Sequence, residues 1–204
     1  MALANYTDLL AAVAKWMDRT DLTATIPDFV TLAEARLARD MRLRNQVVNT
    51  ALATVANQNY VTLPADWLEI ENITVSSVSP PGVMSVITPE VMDTLFPSGY
   101  RTGQPYRYAP LAQKLLLGPT PDAVYTISVD YYQRLGLAAS TTNWLMTYYP
   151  TVYISACLVE GFSFLQDTDR LALWQSRYKE ETTALQDADD AAVRSGSSMR
   201  VRAL

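Results

Sequence analysis

The chain predicts an α+β fold: a four-helix bundle from the N- and C-terminal helix pairs, an inserted antiparallel β-rich domain and a flexible C-terminal tail. Three observations predict it. Both ends carry apolar residues at three-four spacing, whereas the middle alternates with period two. Residues 148–165 form a helix that is apolar nearly all the way round, with Val152, Ile154, Ala156, Leu158, Val159, Phe162, Phe164 and Leu165 and only Glu160 charged. Such a helix has to be enclosed by other elements, and the two N-terminal helices each offer an apolar face. Bringing the end pairs together leaves the middle as an insertion. The pattern changes give 1–45 as the N-terminal helix pair, 46–145 as the β-rich insertion, 146–194 as the C-terminal helix pair and 195–204 as an extended tail.

In chain order, Asn5 caps a first helix that runs to Met17, with Tyr6, Leu9, Leu10, Val13 and Trp16 on its broad apolar face. A turn at Asp18–Asp21 leads to a second helix after Thr25, with Pro27 in its first turn and Asp28 as a capping-box partner. Val30, Ala33, Leu37 and Met41 form its inner face. Arg36, Arg39 and Arg42 lie on another side; they suit a solvated face, inter-subunit ion pairs with Glu34 and Asp40, or contact with DNA passing nearby.

From Gln46, Val47–Ala53 and Tyr60–Leu63 read as strands around Asn57–Asn59, and Leu63-Pro64-Ala65-Asp66-Trp67 as a corner. Leu68–Val75 alternates, with a phase slip near Asn72. Pro80-Pro81-Gly82 is a turn, Val83–Ile87 a further strand, and Thr88-Pro89-Glu90 opens a short helix ending by Phe96. Tyr106–Tyr108, Lys114–Leu117 and Tyr125–Tyr131 are strands separated by loops at 109–113 and 118–121. Residues 137–143 read as a polar loop, with Thr141 or Asn143 leading into Trp144.

Pro150 sits in the first turn of the apolar helix. Asp167-Thr168-Asp169 breaks the pattern and caps the last helix. There Leu171, Trp174, Tyr178, Leu185, Ala188 and Ala192 make one apolar seam, with Glu181 as its weak point. At 1.5 Å per residue the span 169–194 is roughly 39 Å long, too long for its hairpin partner to cover. In the tail, Ser195–Ser198 is a flexible composition. Met199, Val201 and Ala203 then alternate with Arg200 and Arg202, which suits either an added strand on a sheet edge or a frayed terminus.

Composition narrows the chemistry. A chain of 204 residues buries about 70% of its unfolded surface, enough for a core without disulfides or metal. There is no histidine, which removes the commonest general base and metal ligand. The single cysteine, Cys157, lies on the apolar helix and reads as a buried hydrophobe. Net charge is −5 and spread along the chain, so no segment is a dedicated nucleic-acid surface. No signal peptide or membrane span is predicted, and the chain reads as made in a cytoplasm. Seven glycines form no phosphate loop and no nucleophile elbow. Glu69 with Glu71 reads as a solvated strand face, Asp187, Asp189 and Asp190 as a solvated helix face, and Glu160, the best single candidate for perturbed chemistry, as half of a structural ion pair or an exposed edge of the bundle. Neither a metal nor a cofactor is expected. The twelve tyrosines fit sugar stacking or protein interfaces.

An ordered set of motifs resembles phage head-to-tail adaptor proteins, the portal-binding connectors of short-tailed phages. Ile26–Asp40 resembles their second helix. Leu63–Trp67 is similar to their L-P-x-D-[WFY] corner, Gly103–Tyr108 to a G-x-P-x-x-Y step, and Asn143-Trp144-Leu145 with Pro150 to their Pro-led helix. Ala172–Tyr178 is similar to an A-L-W-x-x-R-Y helix before a Ser-Gly-Ser tail. The resemblance spans nearly the whole chain. It implies a non-enzymatic virion protein forming a ring, dodecameric like the portal, between the portal and the tail nozzle, with DNA passing through unread. It makes Met199, Arg200, Val201, Arg202 and Leu204 the candidate portal contacts, and Arg36, Arg39, Trp174 and Tyr178 the candidate inter-subunit contacts. A tail or receptor-binding accessory module and a cell-wall hydrolase are the alternatives.

Overall fold

The computed structural model describes residues 3–77, 80–97 and 101–196. The chain divides into two compact units, residues 1–45 with 135–204, and residues 46–134. The return to the helical unit therefore lies at 134/135, earlier than the boundary drawn at 145/146 from the sequence.

In the helical unit, α1 spans Tyr6–Met17 and α2 Ile26–Asp40. The Asn5 cap forms as expected, its Oδ1 accepting the Asp8 N–H at 3.0 Å. The capping box at Thr25 does not. Thr25 is already helical, and Ile26 N–H donates to the Leu22 carbonyl at 3.0 Å, so α2 grows out of a turn that closes its first donors. The stretch 137–143 is likewise not a loop. It holds a short helix, α4 (Leu137–Ser140), which ends at Thr141 with φ 58°. Leu137 is fully buried, and that burial, invisible to local polarity, organises the turn. Asn143, not Thr141, then caps α5 (Trp144–Tyr148) by accepting the Met146 N–H at 2.9 Å. Next come α6 (Pro150–Phe164) and α7 (Thr168–Gly196), the latter capped by the Asp167 side chain. Asp167 and Pro150 stand where the sequence puts them.

The centre of this unit is α6. Ten of its fifteen residues are buried, from Val152 to Phe162. Helices α1, α2, α5 and α7 all pack against it. Gly161 lets α1 approach: a Cβ there would meet the Met17 sulfur at 2.7 Å.

The second unit is two four-stranded sheets, with α3 (Pro89–Leu95) packed on one of them. Its strands are β1 (Val47–Ala53), β2 (Tyr60–Thr62), β3 (Trp67–Val75), β4 (Gly82–Val83), β5 (Ser85–Val86), β6 (Arg107–Leu111), β7 (Lys114–Gly118) and β8 (Thr126–Gln133). The sheet orders are β1-β8-β3-β4 and β2-β7-β6-β5. Their inner faces share one core, with Ile73, Val75, Ile127 and Val129 from the first and Val61, Leu115 and Leu117 from the second. β1 and β2 do not pair with each other; each belongs to a different sheet. The expected strand 83–87 splits between the sheets as β4 and β5, on either side of buried Met84. The phase slip near Asn72 is a register shift between Ile70 and Asn72, and a second lies at Leu68. Ala109–Leu111 continues β6 rather than forming a loop, and Ala112, with φ 51°, makes the tight turn.

The corner at Leu63–Trp67 joins both ends of this unit. The Asp66 carboxylate accepts Gln133 Nε2 at 2.6 Å and the Tyr131 hydroxyl at 3.2 Å, and its carbonyl accepts the Arg134 N–H at 2.6 Å. Burial and the Asp66 charge push the Tyr131 phenol up to about 12. The structure is thus mixed α+β, as the sequence predicts.

Candidate interaction surfaces

The helical unit carries polar contacts that fix which faces of its helices are committed. Arg36 on α2 reaches Glu160 on α6, with both Nε and Nη2 at 2.7 Å from Oε1. The expected structural ion pair of Glu160 is therefore present, and its partner is Arg36. Glu34 does not serve Arg36 at all. It accepts the Leu137 N–H at 2.7 Å and the Tyr153 hydroxyl at 3.4 Å, and Asn143 Nδ2 donates to that hydroxyl at 2.7 Å. Burial pushes the Glu34 carboxyl up, and burial pushes the Tyr153 phenol well above its ordinary range. This network ties α2, α5 and α6 to the point where the chain returns from the β unit.

Helix α7 is attached along its seam. Tyr178 is buried, and its hydroxyl donates to Asp40 at 2.8 Å; burial, then Asp40, raises its pKa. Gln186 Nε2 donates to the Asp40 carbonyl at 2.7 Å, and Arg44 pairs with Asp189 at 2.9 Å. Glu181, the weak point of the seam, is satisfied by the Ser155 hydroxyl at 2.7 Å. Trp174 packs on Trp16 at 5.4 Å between centroids, with the Arg177 guanidinium 5.0 Å above its ring.

Of the four candidate inter-subunit residues, Arg36 and Tyr178 have partners inside the protomer. Arg39 is exposed and Trp174 half-buried. The candidate portal contacts Met199, Arg200, Val201, Arg202 and Leu204 lie outside the described residues. The structure exposes large apolar residues, some of which the sequence pattern places on buried faces. Leu32, Phe164 and Leu173 expose about half or more of their surface, as do Tyr148 and, nearly, Trp16. Leu32 and Leu173 fall off the expected apolar faces, so spacing alone gives no reason to single them out; Phe164 and Trp16 are expected on apolar faces, and Phe164, the last residue of α6, is instead 58% exposed and Trp16 47%. A cleft of about 160 Å³ opens beside the C-terminal half of α7, lined by Leu43, Arg44, Trp144, Tyr149, Leu185 and Asp189. The Arg44–Asp189 pair at its rim joins residues 145 apart in sequence, a separation with no local signal.

Among the described residues no group of His, Cys, Asp or Glu is placed to hold a metal ion. Cys157 is fully buried, and burial pushes its thiol far up, away from the thiolate a nucleophile needs. No helix among the described residues is long and apolar enough to cross a membrane. No curated protein matches the chain. The family model of the SU10 adaptor protein matches residues 4–202, so the chain belongs to the SU10 adaptor protein family, in line with its resemblance to phage head-to-tail adaptors and with a structural, virion role.

Proposed function

We propose that this adaptor forms a closed ring beneath the portal and joins it to the tail nozzle, the four long helices of each copy acting as a bundle in the ring wall. Family membership supports the adaptor role. The observation that carries the ring is a length mismatch: α7 has 29 residues and α6 has 15. At 1.5 Å per residue α7 outreaches its partner by about 20 Å. Apart from that overhang, the unit exposes Leu173 near the start of α7, with Leu32, Phe164 and Trp16. A neighbouring copy covers such faces through a heterologous interface, which closes into a cyclic oligomer, here twelve-fold to match the portal. Arg39 and Trp174 contribute to that interface from the surface. Arg36 and Tyr178 contribute from behind, by fixing α2 and α7 at the angle the neighbour meets. DNA passes through without being read.

In this reading the tail docks on the portal through Met199, Arg200, Val201, Arg202 and Leu204. Ordering ten residues costs on the order of 10 kcal/mol of backbone entropy, offset by apolar burial, strand hydrogen bonds and multivalency around the ring. Deleting residues 196–204 is expected to leave a folded protein that no longer joins portal rings in electron micrographs of the mixture. Normal joining by the truncated protein overturns the tail's role.

A further inference from the structure

The two sheets manage their edges differently. β2, β4 and β5 are edges of three, two and two residues. β1 is an edge of seven, Val47-Val48-Asn49-Thr50-Ala51-Leu52-Ala53, with no proline and no charge. A long, uncharged edge strand is a ready template for another strand. Its phase can be read. Thr54 N–H donates to the Tyr125 carbonyl at 2.9 Å, in continuation of the β1–β8 register. Hydrogen-bonded pairs in an antiparallel ladder alternate. Val48, Thr50 and Leu52 therefore exchange bonds with β8, while Val47, Asn49, Ala51 and Ala53 turn their N–H and C=O groups to the edge.

We propose that β1 accepts residues 199–204 of a second copy of this chain as an added strand. Side-chain chemistry selects this occupant. On the inner face, Val48 and Leu52 pack against the core between the sheets. On the outer face, Asn49 donates to Asp130 at 2.6 Å and to Ser128 at 2.7 Å, which holds the Asp130 carboxylate of β8 against β1, one strand in from the edge. A strand added here extends an apolar inner face and an acidic outer one. Met199, Val201 and Ala203 match the first, and Arg200 and Arg202 match the second. Pairing β1 with β1 of another copy instead sets two acidic faces side by side, and like charges on adjacent strands are unfavourable. This goes beyond the portal reading: it gives the tail a partner among free copies, one that the portal then displaces.

Residue-resolved amide exchange of the full-length protein across a range of concentrations tests it, alongside sedimentation velocity. Exchange at Val47, Asn49, Ala51 and Ala53 is expected to slow as concentration rises, and self-association with it. Arg200→Glu with Arg202→Glu should weaken both by about tenfold or more. Ala51→Pro should do the same, because the Ala51 N–H is not used by β8 and an edge position tolerates the ring. If Ala51→Pro unfolds the protein, the arginine variant still decides, since it lies outside the described fold. Protection that does not vary with concentration, self-association untouched by the arginine change, or a monomer at every concentration each overturns the proposal. Portal joining separates the two readings: Ala51→Pro is expected to retain it, whereas deletion of the tail is not.

Discussion

Helices α6 and α7 are neighbours in sequence and in space, yet they solve opposite problems. α6 has ten buried residues in fifteen and meets other helices on every side. α7 buries a seam centred on Tyr178, Thr182 and Leu185, and leaves Leu173, Arg177 and Lys179 in water. The first is complete within one copy of the chain. The second is half-complete, and its open face is the larger. On the proposed ring, substitutions in α6 should act on folding, and substitutions on the outer face of α7 on association.

The largest effect expected from breaking that division is at Phe162. It is fully buried on α6, and the Arg170 guanidinium stands 5.6 Å from its ring. Phe162→Ala should cost about 3–5 kcal/mol through lost transfer energy and an unfilled cavity. Denaturant unfolding with fixed slope measures it. A loss below about 1 kcal/mol would mean that α6 is not the core the fold makes it.

A smaller effect concerns Glu34, which links α2 to the chain's return at Leu137. Burial raises its folded pKa above the unfolded value of 4.5. The protonated form is thus favoured in the folded state, and the folded chain binds more protons above the unfolded pKa. The sign follows from linkage: the contribution is fully present below that pKa and is lost as pH rises through the folded one. Glu34→Gln keeps an acceptor for the Leu137 N–H and removes the titration. Across the range that starts at 4.5 and runs upward, the wild type should lose stability relative to this variant. Parallel urea-midpoint profiles for the two proteins would show that burial of the charge is not felt.

Local rules made much of this fold legible. Asn5, Asn143 and Asp167 cap helices because a short acceptor before an apolar run has one good use. Pro27 and Pro150 open helices for the same kind of reason. The misses share a cause. Leu137 looked like loop because its neighbours are small and polar, but a single buried leucine sets that turn. Val83–Ile87 looked like one strand because period two does not say which sheet a residue joins; Met84 is where the chain changes sheets. Arg36 pairs within the protomer with Glu160, 124 residues away, a partner that local spacing does not point to. Surfaces are less legible than cores: Leu173 carries no pattern, and Phe164 fits the pattern of an enclosed helix yet is 58% exposed at that helix's end. The adaptor identity came from ordered motifs, which spacing rules do not generate.

The smallest effect on stability is the sharpest test of the comparison. Leu173 lies on the outer face of α7 and exposes 51% of its surface. It makes no core contact whose loss would leave a cavity, and glutamate is as good a helix former as leucine. Leu173→Glu should therefore change folding stability by no more than about 0.5 kcal/mol. At an interface between copies the same change buries an unpaired carboxylate, which costs several times as much per contact, and a closed ring repeats that cost at every interface. The expected result is a protein with an unchanged unfolding midpoint that fails to form rings, read by electron microscopy of the variant mixed with portal. If rings form normally, the open face of α7 is solvent-facing in the virion, and the neighbour that completes this helix must be sought on another side.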